Sequence, residues 1–76
     1  MARPSILREL REQRGETITS MAAKLEIGVS RYYMIESGAR PASPELAEKI
    51  AAILGVETEH LFLPQSFTVR EVEASA

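Results

Sequence analysis

The sequence contains no cysteine. That one absence excludes a disulfide scaffold, a thiolate zinc site and a thiol nucleophile. No apolar run approaches the roughly 20 residues of a membrane span, and Met1-Ala2-Arg3-Pro4 does not open an apolar leader. A cytoplasmic protein with no membrane partner is therefore expected. The lone histidine, His60, stands beside Leu61 and Phe62 without a second histidine to complete a metal set. Gly15, Gly28, Gly38 and Gly55 each fall at an element boundary, so no glycine-rich phosphate loop is formed. The glutamates are scattered along helix surfaces and supply no carboxylate pair for acid–base work. No enzymatic activity, metal or cofactor is expected.

What remains is enough for one small folded domain. The chain has 76 residues, 45% of them hydrophobic and 26% charged, and its modest core would gain from self-association. The net charge is −2, but it is unevenly placed: +2 before Ser43 and −4 beyond it. Such asymmetry suits a protein that presents one end to a polyanion.

Helix punctuation divides the chain. A first helix is predicted from Pro4 or Ser5 to Arg14, with Ile6, Leu7 and Leu10 on its buried stripe and Gly15 as its stop. Thr17 reads as the N-cap of a second, in which Ile18, Met21, Ala22 and Leu25 recur at helical spacing. After a break at Glu26-Ile27-Gly28, a third helix starts near Val29, turns Tyr32, Ile35 and Glu36 inward and ends at Gly38. Ser43 caps a fourth and most apolar helix, opened by Pro44 and closed by Gly55. Thr58 is expected to cap a brief fifth helix carrying Leu61 and Phe62 and stopped before Pro64. From Gln65 the residues favour extended backbone, and Phe67 to Glu73 reads as an edge strand or docked arm. The expected fold is all-α, a five-helix bundle with a helix-turn-helix over 4–64 and a short extended C-terminal tail, 65–76, serving as a dimerisation arm.

Three stretches carry a resemblance: Leu10-Arg11-Glu12-Gln13-Arg14-Gly15, Met21-Ala22-Ala23-Lys24-Leu25, and Ile35-Glu36-Ser37-Gly38-Ala39-Arg40-Pro41. With the close Ala52-Ile53-Leu54-Gly55-Val56, their order and spacing are similar to those of the Cro/cI-type, or XRE-type, regulators, without gaps from Leu10 to Leu61. The resemblance covers about two thirds of the chain. It implies a DNA-binding transcriptional regulator, most simply a repressor, whose third helix lies in the major groove while the second crosses above it. It also implies a salt bridge from Arg11 to Glu36. An inward carboxylate beside Ile35 and Tyr32 needs such a partner; the alternative is two solvated surface charges.

The same register places Val29, Ser30, Tyr33 and Met34 toward base edges, with Val29 or Met34 suited to a thymine methyl and Ser30 to a hydrogen bond. Arg31 and Arg40 are phosphate candidates, as are the amides after Thr17 together with the Thr19 hydroxyl at the start of the second helix. The bland reading of Arg40 is solubility. Three departures from the family pattern stand out: Ile18 where many members carry glutamine, Gly28 at the third helix's N-cap, and no Arg, Gln or Asn among the base-facing residues. Specificity would then rest on apolar contacts and DNA shape.

Operators of this class are read by two-fold-related copies, so double-stranded DNA and a second copy of the chain are the expected partners. Leu61, Phe62 and Leu63, with Phe67, Val69 and Val72 in the tail, are the expected dimer surface; the alternative folds the tail back over helices one and five within one chain. A different function class also fits: an antitoxin-like or protein-interaction module holding a protein partner of unknown identity, with DNA binding secondary.

Overall fold

Hydroxyl side chains satisfy the first amides of three helices. The computed structural model describes residues 4–72. Its elements are α1 (Ile6–Gln13), α2 (Ile18–Leu25), α3 (Val29–Ser37), α4 (Pro44–Leu54) and α5 (Thr58–Leu61), with no strand among the described residues. Ser5 accepts from the Arg8 amide at 3.1 Å, and Ser43 from the Leu46 amide at 3.2 Å. Thr17 and Ser20 form a reciprocal capping box on α2, at 2.9 and 3.0 Å. Two boundaries differ from expectation. Ser5 is the cap of α1 and not its first residue, and Arg14 lies just past its end. Glu57, not Thr58, stands at the N-cap of α5, and its side chain makes no capping bond.

The turn between α2 and α3 is made without a left-handed glycine. Glu26 takes φ 57°, uncommon outside glycine, while the amides of Glu26 and Ile27 fold back onto Ala23 and Ala22 carbonyls at 3.1 and 3.0 Å. These bonds satisfy carbonyls that the helix end would otherwise leave open. Gly28 then starts α3 with extended backbone and no side-chain cap, as its lack of a hydroxyl demands.

The helix α4 forms the middle of the core, with Leu46, Ala47, Ile50, Ala51 and Leu54 all buried. They share one core cluster with Leu7 of α1, Met21, Ala22 and Leu25 of α2, and Tyr32 and Ile35 of α3. At about 1.5–3 kcal/mol for each large apolar side chain fully buried, this shared core, and not the individual short helices, holds the domain together.

The C-terminal segment completes that core. The Phe67 amide donates to the Leu63 carbonyl and the Leu63 amide to the Thr68 carbonyl, both at 2.9 Å, reversing the chain after α5. The tail then runs between two segments. Arg70 donates to the Leu61 carbonyl at 2.8 Å and accepts from the Ile6 amide at 2.9 Å, and the Val72 amide reaches the Pro4 carbonyl at 2.9 Å. Isolated antiparallel bridges pair Phe62 with Val69 and Ser5 with Glu71, so the segment is a docked arm and not a strand of a sheet.

Half of the expected dimer surface lies inside the chain. Leu61, Phe62 and Val69 are buried within their own chain, because the arm folds back and covers them. Of the six residues, Leu63 is exposed, while Phe67 and Val72 are partly buried. Glu73, the end of the predicted extended stretch, lies outside the described residues.

Candidate nucleic-acid interface

The helix α3 has two chemically distinct sides. Inward, Tyr32, Ile35 and Glu36 are buried. Outward, Val29, Tyr33 and Met34 are 46%, 56% and 39% exposed, and Ser30 is exposed beside them. Positions 29 and 33, and 30 and 34, are one helical turn apart, so these four side chains form a single contiguous surface. That surface is mainly apolar with one hydroxyl at Ser30 and one phenol at Tyr33.

The inward side is pinned to α1 by charge. Arg11 Nε donates to Glu36 Oε2 at 2.8 Å and Nη2 to Glu36 Oε1 at 3.0 Å, a two-pronged pair in which both side chains are under a tenth exposed. Arg11 Nη1 donates to the Glu16 carbonyl at 2.7 Å, tying in the loop before α2. One guanidinium thus fixes α1, the start of α2 and the end of α3 together. The hydrogen bond to Glu36 raises the Arg11 pKa, working against burial. Beside this pair, the Tyr32 hydroxyl is buried with no hydrogen-bond partner among the described residues. Burial, reinforced by the Glu36 carboxylate, pushes the Tyr32 phenol well above its ordinary range.

Of the phosphate candidates, Thr17 and Thr19 precede the outward α3 surface in sequence, Arg31 lies within α3, and Arg40 follows it. At the start of α2, the Thr17 hydroxyl oxygen already accepts from the Ser20 amide, leaving its proton free to donate. Thr19, the second residue of α2, is exposed. Nearby, Glu16 is paired with Lys24 and accepts from the Ser20 hydroxyl at 2.7 Å, and these contacts hold its carboxylate below the usual range. Glu16 therefore offsets the Lys24 charge. Arg31 and Arg40 are exposed, and neither joins an ion pair among the described residues. The Arg40 loop leaves α3 through Gly38, whose φ of 86° lies where a side chain would be strained.

Two arginines have places that the sequence reading did not assign. Arg8 lines a groove of about 340 Å³ with Ile18, Tyr33 and Ser37, so the outward surface of α3 continues onto α1. Its position three residues before Arg11 on one helix is the signal that could have found it. Arg14 reaches across the fold to donate to the Leu54 carbonyl at 2.6 Å, placing a cation at the C-terminus of α4. Their separation of 40 positions leaves no local signal for that contact. No cluster of three or more metal-ligating side chains occurs among the described residues, and no helix there is long and apolar enough to cross a membrane.

A short helix crossing to a second whose outer face is exposed and whose inner face is locked defines a helix-turn-helix domain. The helix-turn-helix family model matches residues 7–61, well over half of the chain, and the protein belongs to this family of Cro/cI-type DNA-binding transcription regulators. Among solved structures, the fold is similar to that of SinR, described as the master regulator for biofilm formation and crystallised in complex with DNA. The TM-score is 0.62 at 24% identity, over 70% of this chain and 86% of the SinR chain in that structure. No curated protein sequence matches the chain.

Proposed function

We infer that the protein is a sequence-specific operator-binding repressor that inserts α3 into the major groove as a homodimer. The observation that carries this reading is the two-sidedness of α3. Its inner face is immobilised by the Arg11–Glu36 pair, while Val29, Ser30, Tyr33 and Met34 stand exposed together. Val29 and Met34 suit thymine methyls, and the Ser30 hydroxyl suits a base edge. Thr17, Thr19, Arg31 and Arg40 serve as backbone contacts that set register without reading sequence. A reading surface without Arg, Gln or Asn shifts discrimination toward methyl contacts and DNA deformability. The second copy is expected from the two-fold symmetry of such operators, and the exposed Leu63 with the partly buried Phe67 and Val72 is the surface left for it.

Selection of bound duplexes from a random pool tests this directly. A recurrent two-fold site is expected, with its preference altered by Met34→Ala or Ser30→Ala at about 1–3 kcal/mol per affected base pair. Arg40→Ala should weaken all duplexes alike and lower the salt slope by about one. A preference that moves with Arg40 and ignores both Met34 and Ser30 overturns the assignment. The apolar character of the exposed α3 face favours one other reading, a protein-interaction module. Tight capture of a protein partner, with no salt-sensitive binding to any selected duplex, is the outcome that would support it.

A further inference from the structure

The loop between α3 and α4 carries Arg40, and part of what holds it comes from the C-terminal arm. The Ala42 amide donates to the Phe67 carbonyl at 2.9 Å. The Val69 Cγ2 methyl lies 3.6 Å from where a Cβ would stand at Gly38, so it covers the backbone at the loop's start. The arm thus touches the loop at both ends, Gly38 and Ala42, on either side of Arg40. Phe67 adopts φ 55°, a costly conformation for a bulky residue, which persists only where surrounding contacts over-determine it. Here the bonds of its amide to Leu63 and of its carbonyl to Ala42 do so. The arm is in turn anchored to α5 and α1 through Arg70, whose amide and carbonyl bond Leu61 and Ile6.

We propose that Val69 and the Phe67 carbonyl are positioning groups for the loop after α3, presenting Arg40 to the DNA backbone, so that docking of the arm and binding of a duplex stabilise each other. The proposal rests on the reading of Arg40 as a phosphate contact. By linkage the coupling is reciprocal: an undocked arm weakens duplex binding by the factor by which a bound duplex favours docking.

The test uses the full chain and a fluorescein-labelled duplex of random sequence at low salt. Val69→Ala is expected to weaken binding about fivefold or more, whereas Val69→Ile, which keeps both carbon branches on Cβ, binds as the wild type does. Arg40→Ala should cost much less in the Val69→Ala background than in the intact chain. Equal costs in the two backgrounds overturn the proposal while leaving Arg40 as a phosphate contact. An intact-chain Arg40→Ala variant that binds like wild type overturns the phosphate reading and this proposal with it. Should Val69→Ala fail to fold, hydrogen exchange of the wild type decides. Bound duplex should slow the Ala42 and Leu63 amides, both bonded to the arm, about fivefold or more relative to the Ile50 amide within α4. Unchanged exchange at Ala42 and Leu63 overturns the proposal.

Discussion

Replacing Glu36 with alanine should be among the most damaging single changes available to this protein. The carboxylate is 4% exposed and accepts two bonds from Arg11, at 2.8 and 3.0 Å. Its removal leaves the guanidinium of Arg11, a residue 7% exposed in the intact chain, with only the Glu16 carbonyl, on Nη1, to satisfy it. Breaking a buried ion pair in this way costs about 3–5 kcal/mol. A domain of this length has roughly 4–11 kcal/mol of stability in total, so the loss approaches half or more. With a urea slope of about 1 kcal/mol/M, the denaturation midpoint should fall by about 3–5 M, and the variant should be partly unfolded at physiological temperature. Replacing both partners, Arg11→Met with Glu36→Leu, removes the stranded charge and should cost much less than the single change. Equilibrium urea denaturation followed by circular dichroism measures both. A Glu36→Ala midpoint within error of wild type, or a double variant no better than the single, would refute the claim that burial makes this pair structural.

Tyr32 gives a pH test with a defined sign. Its folded phenol titrates far above its unfolded value near 10, so the unfolded chain loses that proton first as pH rises. Stability should therefore fall above about pH 10, by about 1.4 kcal/mol per unit, and Tyr32→Phe should abolish that slope at little cost, since the hydroxyl has no partner. A slope unchanged in Tyr32→Phe would assign it to other groups. Truncation after Pro64 removes Val69 from the core and unpairs the Ile6, Ala42 and Leu63 amides. A loss of about 2–4 kcal/mol is expected by thermal denaturation, and an unaltered midpoint would show the arm to be dispensable. Gly38→Ala should cost about 1–2 kcal/mol from its left-handed backbone alone, since a Cβ meets Val69 only at ordinary contact distance. A neutral effect in the same assay would show that the loop relaxes.

The exposed and buried sides of α3 were legible because they follow from a single register. Once Val29 begins the helix, the 3.6-residue period puts Tyr32, Ile35 and Glu36 on one side and Val29, Ser30, Tyr33 and Met34 on the other. The caps at Thr17 and Ser43 were equally local, since a hydroxyl reaches an amide three residues ahead wherever it stands. The pairing of Arg11 with Glu36 came through likeness to a family, supported by the need of any inward carboxylate for a counter-charge.

Periodicity and capping, which act over one or two turns of chain, specify the helices, their faces and the turn that joins α2 to α3. Which apolar side chains would meet each other was decided only in three dimensions. Leu61, Phe62 and Val69 read as surface for a partner, yet the arm returns and buries them. It docks through backbone bonds to Ile6, Ala42 and Leu61, which any side chain permits and no residue pattern announces. The cation from Arg14 at the end of α4, and the unpartnered Tyr32 hydroxyl beside a satisfied ion pair, likewise arise from packing between segments distant in the chain.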